Sequence, residues 1–205
     1  CAPATAQAQG GKVAKIVVGF PAGQGIDLVS RVVADALRDE LGETVIVENK
    51  PGQGGSIALG QVARAAPDGA TILISAMAAL VIAPHLYKNV TYDTLKSFAP
   101  VGRVGDLPLV LVVNPSLPAK TLPELIAYLK ANPGTFSFAS SGNGGAPHMS
   151  AELFKAMANL AIVHIPYRGG GPALTDTIAG QVDMSFPVLS AAQGHVQAGK
   201  PRALG

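Results

Sequence analysis

Short, almost wholly apolar runs alternate along this chain with longer stretches in which apolar positions recur every three or four residues. Lys15 to Phe20, Thr44 to Glu48 and Thr71 to Ala76 are runs of the first kind, rich in β-branched residues and predicted to be strands. Between the first two, Leu28, Val29, Val32, Val33, Ala36, Leu37 and Leu41 share one stripe, which predicts a helix over Asp27 to Leu41 stopped by Gly42. Ser56 can cap a second helix reaching Ala66 and ended by Pro67-Asp-Gly69. Strands that are apolar throughout, rather than alternating, belong in a parallel sheet covered by helices on both faces, so an α/β fold is expected.

The rhythm changes at Phe98 to Asn114. Two strand-like runs, Phe98 to Val104 and Leu107 to Asn114, follow each other without an intervening helix, which predicts a crossing into a second lobe. There Thr121-Leu-Pro-Glu124 reads as a capping box opening a helix that runs to Asn132. Strands are expected at Thr135 to Ala139, Ala161 to Pro166 and Val182 to Phe186, a last helix near Ser190 to Ala198, and a final strand from Arg202. The expected division is a leader over 1–12, lobe one over 13–104 and lobe two over 105–205.

Three strands run into glycine-rich loops that open helices: Gly23 to Asp27, Ser140 to Pro147, and Arg168 to Pro172. Such a junction aims backbone N–H groups and the positive end of a helix dipole at one point, an arrangement suited to holding an anion without a lysine. Convergence of these loops on one cleft predicts a receptor for a small carboxylate. Asp27 can cap its helix, touch ligand, or both, and Arg168 can clamp a carboxylate or stand in solvent.

Composition narrows the partners. With 15 Lys+Arg against 13 Asp+Glu and no basic run, neither nucleic acid nor an anionic membrane surface is an expected partner. Ile72 to Ala83 is too short and too interrupted to span a bilayer. The first ten residues are small and uncharged. Ala6-Gln7-Ala8 reads as a signal-peptidase site, Cys1 alternatively as a lipoprotein anchor, and both imply export; a plain leader is the third reading. A single cysteine excludes an intramolecular disulfide within this sequence.

Rival chemistries leave partial traces. Gly23-x-Gly25 after a strand, with Glu48 at the end of the next, has elements of a dinucleotide fingerprint and gives the alternative reading of a nucleotide-dependent α/β enzyme. Leu28 occupies the third glycine position, where its side chain is expected to hold the helix off the strand. Gly52 to Ser56 lacks the lysine of a P-loop. Ser140, Ser141, His148 and His164 are present without a Gly-x-Ser-x-Gly elbow, so each histidine is expected to be structural. Four isolated histidines and one cysteine show no metal spacing, and neither metal nor cofactor is expected.

Seven segments, in order, resemble the extracytoplasmic solute receptors of tripartite tricarboxylate transporters, the Bordetella uptake-gene family. They are Lys15 to Asp27, Val47 to Gly55, Ala66 to Gly69, Val113 to Pro118, Phe138 to Gly145, His164 to Gly170 and Gly180 to Asp183. The resemblance implies a two-lobed periplasmic binding protein fold of type II, each lobe a mostly parallel sheet flanked by helices. It implies a non-enzymatic receptor, free of cofactors, that closes on a carboxylate and delivers it to membrane permease subunits. On that basis Phe20, Ala22, Gly23, Gly25, Ile26, Asp27, Ser75 and Ala76 would contact ligand from lobe one. Ser140, Ser141, Asn143, Gly145, His148, Tyr167, Arg168 and Gly169 would do so from lobe two. Departures from the family pattern are Pro21-Ala-Gly-Gln24 in place of Pro-Pro-Gly-Gly, and Pro187-Val188 where an Asp-Asn pair is common. Members also continue for another third of their length. An incomplete lobe one is therefore expected, in a fragment or in a chain completed by self-association.

Overall fold

The computed structural model describes residues 13–204, so the readings placed on Cys1 and Ala6 to Ala8 lie outside the described residues. Its first sheet is parallel and has the order β2-β1-β3, with β1 at Val13–Val18, β2 at Thr44–Asn49 and β3 at Thr71–Ile74. Helix α1, Gly25–Leu41, crosses between β1 and β2 and ends at Gly42, whose left-handed conformation (φ 63°) lets its N–H reach the Arg38 carbonyl. A single 3-10 turn, Gln53–Gly55, leads into α2, Ser56–Val62, and the short helices α3, Met77–Val81, and α4, Ala83–Leu86, follow β3. Ile16, Val18, Val45 and Ile74 form the core beneath α1, which contributes Ile26, Val33, Ala34 and Leu37. Val33 and Leu37 are positions of the predicted apolar stripe, but its other members do not all turn inward. Leu28 and Val32 are 52% and 68% exposed, whereas Asp27 and Ser30 are buried. Hydrogen bonding explains the exchange: Ser30 donates to the Ile26 carbonyl and the Asp27 carboxylate is fully partnered, so polar side chains occupy the inner face at little cost.

The expected strand at Phe98 to Val104 does not form. Those residues have no regular structure, and Val101 is 95% exposed. Pro100, Gly102 and Gly105 interrupt the run, and no strand runs alongside to take its hydrogen bonds. The preceding segment is nevertheless anchored, because Thr94 donates to the Leu80 carbonyl at 2.6 Å.

The second sheet has the order β6-β5-β7-β4-β8, so the chain builds two lobes. Its strands are β4, Val112–Val113, β5, Ser137–Ser140, β6, Val163–Pro166, β7, Met184–Ser185, and β8, Arg202–Ala203. Strand β5 is parallel to β6 and β7, while β4 runs against β7 and β8. The helices are α5, Leu122–Ala131, α6, Ala146–Ala158, α7, Gly170–Ala179, and α8, Leu189–Gln197. The α5 start is the expected capping box: Thr121 accepts from the Glu124 N–H, and the Glu124 carboxylate accepts from the Lys120 N–H at 2.8 Å. Phe138, Leu125, Leu129, Val113 and Met184 fill the core. Asn114, buried beside β4, donates to the Thr177 and Ile178 carbonyls and ties the end of α7 to the sheet.

Candidate functional site

The first glycine loop begins where β1 ends. A Cβ on Gly19 would sit 2.7 Å from the Gly55 Cα, so the strand end and the 3-10 turn meet backbone to backbone. Asp27, 1% exposed, then shapes the loop from inside. One carboxylate oxygen accepts from the Gly23 N–H at 2.8 Å and from Arg31 Nε at 3.1 Å. The other accepts from Asn49 Nδ2 at 2.9 Å and Arg31 Nη2 at 3.1 Å. Burial raises its pKa, but the hydrogen bonds from Arg31, Gly23 and Asn49 together outweigh burial and leave the carboxyl below its ordinary value. Both oxygens are occupied, and because Asp27 lies in the first turn of α1 and its Gly23 partner precedes the N-cap Gln24, the carboxylate braces the loop and does not cap the helix. It also occupies the Gly23 amide, which is not free for an anion. Phe20 and Ile26 are half-buried and pack in part against the first core.

The second loop is built on a stack of rings. Phe138 lies 4.7 Å from the His164 ring, which lies 4.1 Å from the His148 ring. His164 Nε2 is 2.6 Å from Ser140 Oγ, and Ser140 Oγ accepts from the Gly142 N–H at 3.2 Å. His148 Nδ1 accepts from the Gly144 N–H at 3.0 Å. Burial, with the neighbouring His148 second, lowers the His164 pKa to about 4, and burial also lowers that of His148. The Ser140–His164 pair has the distance of a nucleophile and its base. Ser140 is 1% exposed, however, and among the described residues no carboxylate hydrogen-bonds the His164 ring, so the pair fixes the loop. In the third loop Tyr167 donates to Asp176 at 2.7 Å, which leaves its ring as wall, and Arg168 is exposed and makes no ion pair among the described residues.

The entries of α6 and α7 share one hollow, and the entry of α1 lies against the same lobe, with Gln24 at Gly169 and Gly25 at Val188. The N-caps of α1, α6 and α7 are Gln24, Gly145 and Gly169, and none gives a side-chain hydrogen bond to its helix. Ser140, Ser141, Pro147, Gly170 and Pro187 border one small hollow where α6 and α7 start. Between the lobes, a Cβ on Gly25 would lie 3.3 to 3.5 Å from Val188, Leu107 and Ser190, and one on Gly169 would lie 2.5 Å from Gln24 Nε2. Tyr87, just beyond α4, donates to the Asn143 carbonyl at 2.9 Å. Ser75 and Ala76 lie at the start of α3, whose Ala79 is 3.1 Å from the Cβ position of Gly55, itself packed on Phe20. Thus Ser140 and Ser141 border the hollow with Gly145 beside Ser141, Gly25, Asn143 and Gly169 lie at contacts between the lobes, and Asp27 sits buried beneath the first loop. Ala22 is exposed at the loop tip. Gln24, Tyr87 and the α8 entry at Val188 and Ser190 were not legible as site residues. Gln24 carried a signal, as the one polar side chain between the loop's two glycines, and Tyr87 carried none.

The nucleotide reading loses its parts. Gly23 is bonded to Asp27, and Glu48 pairs with Lys50 at 2.7 Å. The expected obstruction by Leu28 is also corrected, because its side chain points outward, 52% exposed, and holds nothing apart. No group of three metal-capable side chains occurs among the described residues, and no helix among them is long and apolar enough to cross a membrane.

Two α/β lobes, each a sheet flanked by helices, give this chain the architecture seen in periplasmic binding proteins. A profile of the tripartite tricarboxylate transporter family receptor matches residues 29–205, and the chain belongs to that family. A UPF0065 protein of Bordetella pertussis is 40% identical over 193 residues, covering 93% of this chain and 59% of that relative. A solved structure described as a periplasmic transporter is 38% identical with a TM-score of 0.86, covering 97% of this chain and 66% of that one. The Rhodopseudomonas palustris protein Rpa4515 with adipate is 31% identical (TM-score 0.85, 94% and 64% covered), and MatC of the same organism with bound malate is 29% identical (0.85, 93% and 65%). The chain spans about three-fifths of the length of the curated relatives it matches.

Proposed function

We propose that this chain is the ligand-capturing part of an extracytoplasmic receptor that closes on a small carboxylate and presents it to membrane permease subunits. The observation that carries the reading is that the α6 and α7 entries share one hollow and the α1 entry abuts the same lobe beside Gly169, each without a side-chain cap. Amides of the first turns of α1, α6 and α7, with the Ser141 hydroxyl beside them, are the donors for a carboxylate, and closure strengthens them by excluding water. Residues 13–104 and 105–205 form the two jaws, and a periplasmic location follows from kinship. Binding, without chemical conversion, is the whole of the proposed activity. Neighbours with adipate and malate support a dicarboxylate as the ligand class.

Thermal-shift titration tests it. Stabilisation by adipate, malate or related acids is expected, growing with the ratio of ligand to Kd. Stabilisation by NAD or nucleotides alone would refute the receptor reading.

A further inference from the structure

Behind the second glycine loop stand two imidazoles that the binding reading does not use. Their rings are 4.1 Å apart and inclined by 20°, with Phe138 stacked beneath His164 at 4.7 Å. Each holds one point of the loop: His164 Nε2 meets Ser140 Oγ at 2.6 Å, and His148 Nδ1 accepts the Gly144 N–H at 3.0 Å. An accepting Nδ1 fixes His148 as the neutral tautomer with its proton on Nε2. We propose that His148 and His164 are positioning residues forming a proton-sensitive brace, whose neutral stack holds the Ser140 to Gly145 loop in its binding shape and whose protonation at His148 releases it.

The chemistry is local. A proton on Nδ1 sets one donor against another, the imidazolium against the Gly144 N–H, and the amide must turn away. Stacked imidazolium rings at this separation repel, so the pair admits one charge at most. The charged groups facing the stack are few. Glu152 on the same helix is 3.9 Å from His148 Nε2 but already holds Lys155 at 2.9 Å, and Lys155 in turn lies over the Phe138 ring. From the other lobe comes the neutral Tyr87 phenol, bonded to the Asn143 carbonyl. Burial lowers the proton affinity of both rings, which keeps the brace neutral at physiological pH.

The inference rests on the proposed ligand loop, and the test separates the two. Nuclear magnetic resonance of the labelled chain follows the Gly144 amide and the His148 ring from about pH 7.5 down to about pH 4, since burial moves protonation of His148 below the ordinary imidazole range. The two signals are expected to move with one midpoint. In His148→Asn, whose Oδ1 still accepts the amide but does not titrate, the Gly144 signal is expected to stay fixed. Over the same range, affinity for adipate or malate is expected to fall at least about threefold more in the wild type than in this variant, since only the wild type loses its competent population. Protonation of the ligand affects both proteins equally. His164→Gln, with His148 intact, is expected to retain the coupled titration and carries the test if the first variant does not fold. A Gly144 amide indifferent to His148 protonation, or an equal loss of affinity in wild type and His148→Asn, overturns the proposal. If neither acid binds at any pH, the amide titration still decides the brace, and it is the receptor reading that fails.

Discussion

Removing the Asp27 carboxylate is expected to cost about 3 kcal/mol of stability. The perturbation is Asp27→Ala, with Asp27→Asn as its milder partner. At 1% exposure the carboxylate receives the Gly23 amide, the Asn49 side chain and a two-point contact from Arg31. The first two are charge-assisted hydrogen bonds shielded from water, worth about 1 to 1.5 kcal/mol each after the exchange with solvent. The Arg31 pair counts for about 0.5 kcal/mol, because its guanidinium end is half exposed and screened. Asn49 keeps its bond to the Phe20 carbonyl and Gly23 is exposed enough to find water, so no further penalty for orphaned groups is added. For a chain of this size about 3 kcal/mol corresponds to a fall of roughly 6 to 12 °C in Tm. Calorimetry or circular dichroism reads it. The carboxyl is held below its ordinary value, so this stability is present above the unfolded pKa and is lost as pH falls through the folded one; the gap between wild type and Asp27→Asn should therefore shrink in strong acid. A Tm loss under about 2 °C at neutral pH would refute the view that one buried carboxylate shapes the loop.

Three further outcomes are expected. Gly25→Ala places a methyl 3.3 Å from Val188 Cγ1 on the opposite lobe, so ligand affinity should fall about fivefold, from roughly 1 kcal/mol of overpacking, while the unliganded Tm is unchanged or higher; titration calorimetry and melting separate the two effects. Tyr87→Phe removes the interlobe bond to the Asn143 carbonyl and should weaken binding about two- to fivefold, for a partly exposed hydrogen bond of roughly 0.5 to 1 kcal/mol; affinity equal to wild type would show that this contact does not assist closure. His164, with its pKa lowered to about 4, binds a proton less readily folded than unfolded, so stability contributed above its unfolded pKa is lost progressively as pH falls toward about 4. Denaturant titrations through that window should show a steeper decline in wild type than in His164→Gln.

The first sheet was legible because its strands have the near-continuous apolar composition of parallel strands, even though Val13 and Ile46 remain exposed, and observed ends differ from the expected ones by about two residues at β1 and β3. Patterning failed where burial was not the controlling force. Phe98 to Val104 has strand composition, but a strand needs a neighbour, and the chain passes there alone. In α1 hydropathy selected Leu28 and Val32 for the core, whereas hydrogen bonding put Asp27 and Ser30 inside. The glycine-rich helix entries of the candidate site were legible, since open helix entries leave a local signature. The residues that close it were not: Tyr87 meets Asn143 across 56 positions of chain, and Val188 meets Gly25 across 163, and no local pattern encodes such encounters.

The bare N-termini of α1, α6 and α7 have an electrical consequence for the empty protein. Partial positive poles brought toward one another repel, and among the described residues the one acidic side chain in these first turns, Asp27, is already paired with Arg31. On the proposed receptor reading, this repulsion works against the lobe contacts at Gly25 and Gly169, and a negatively charged guest relieves it, serving as the keystone of the arch it completes.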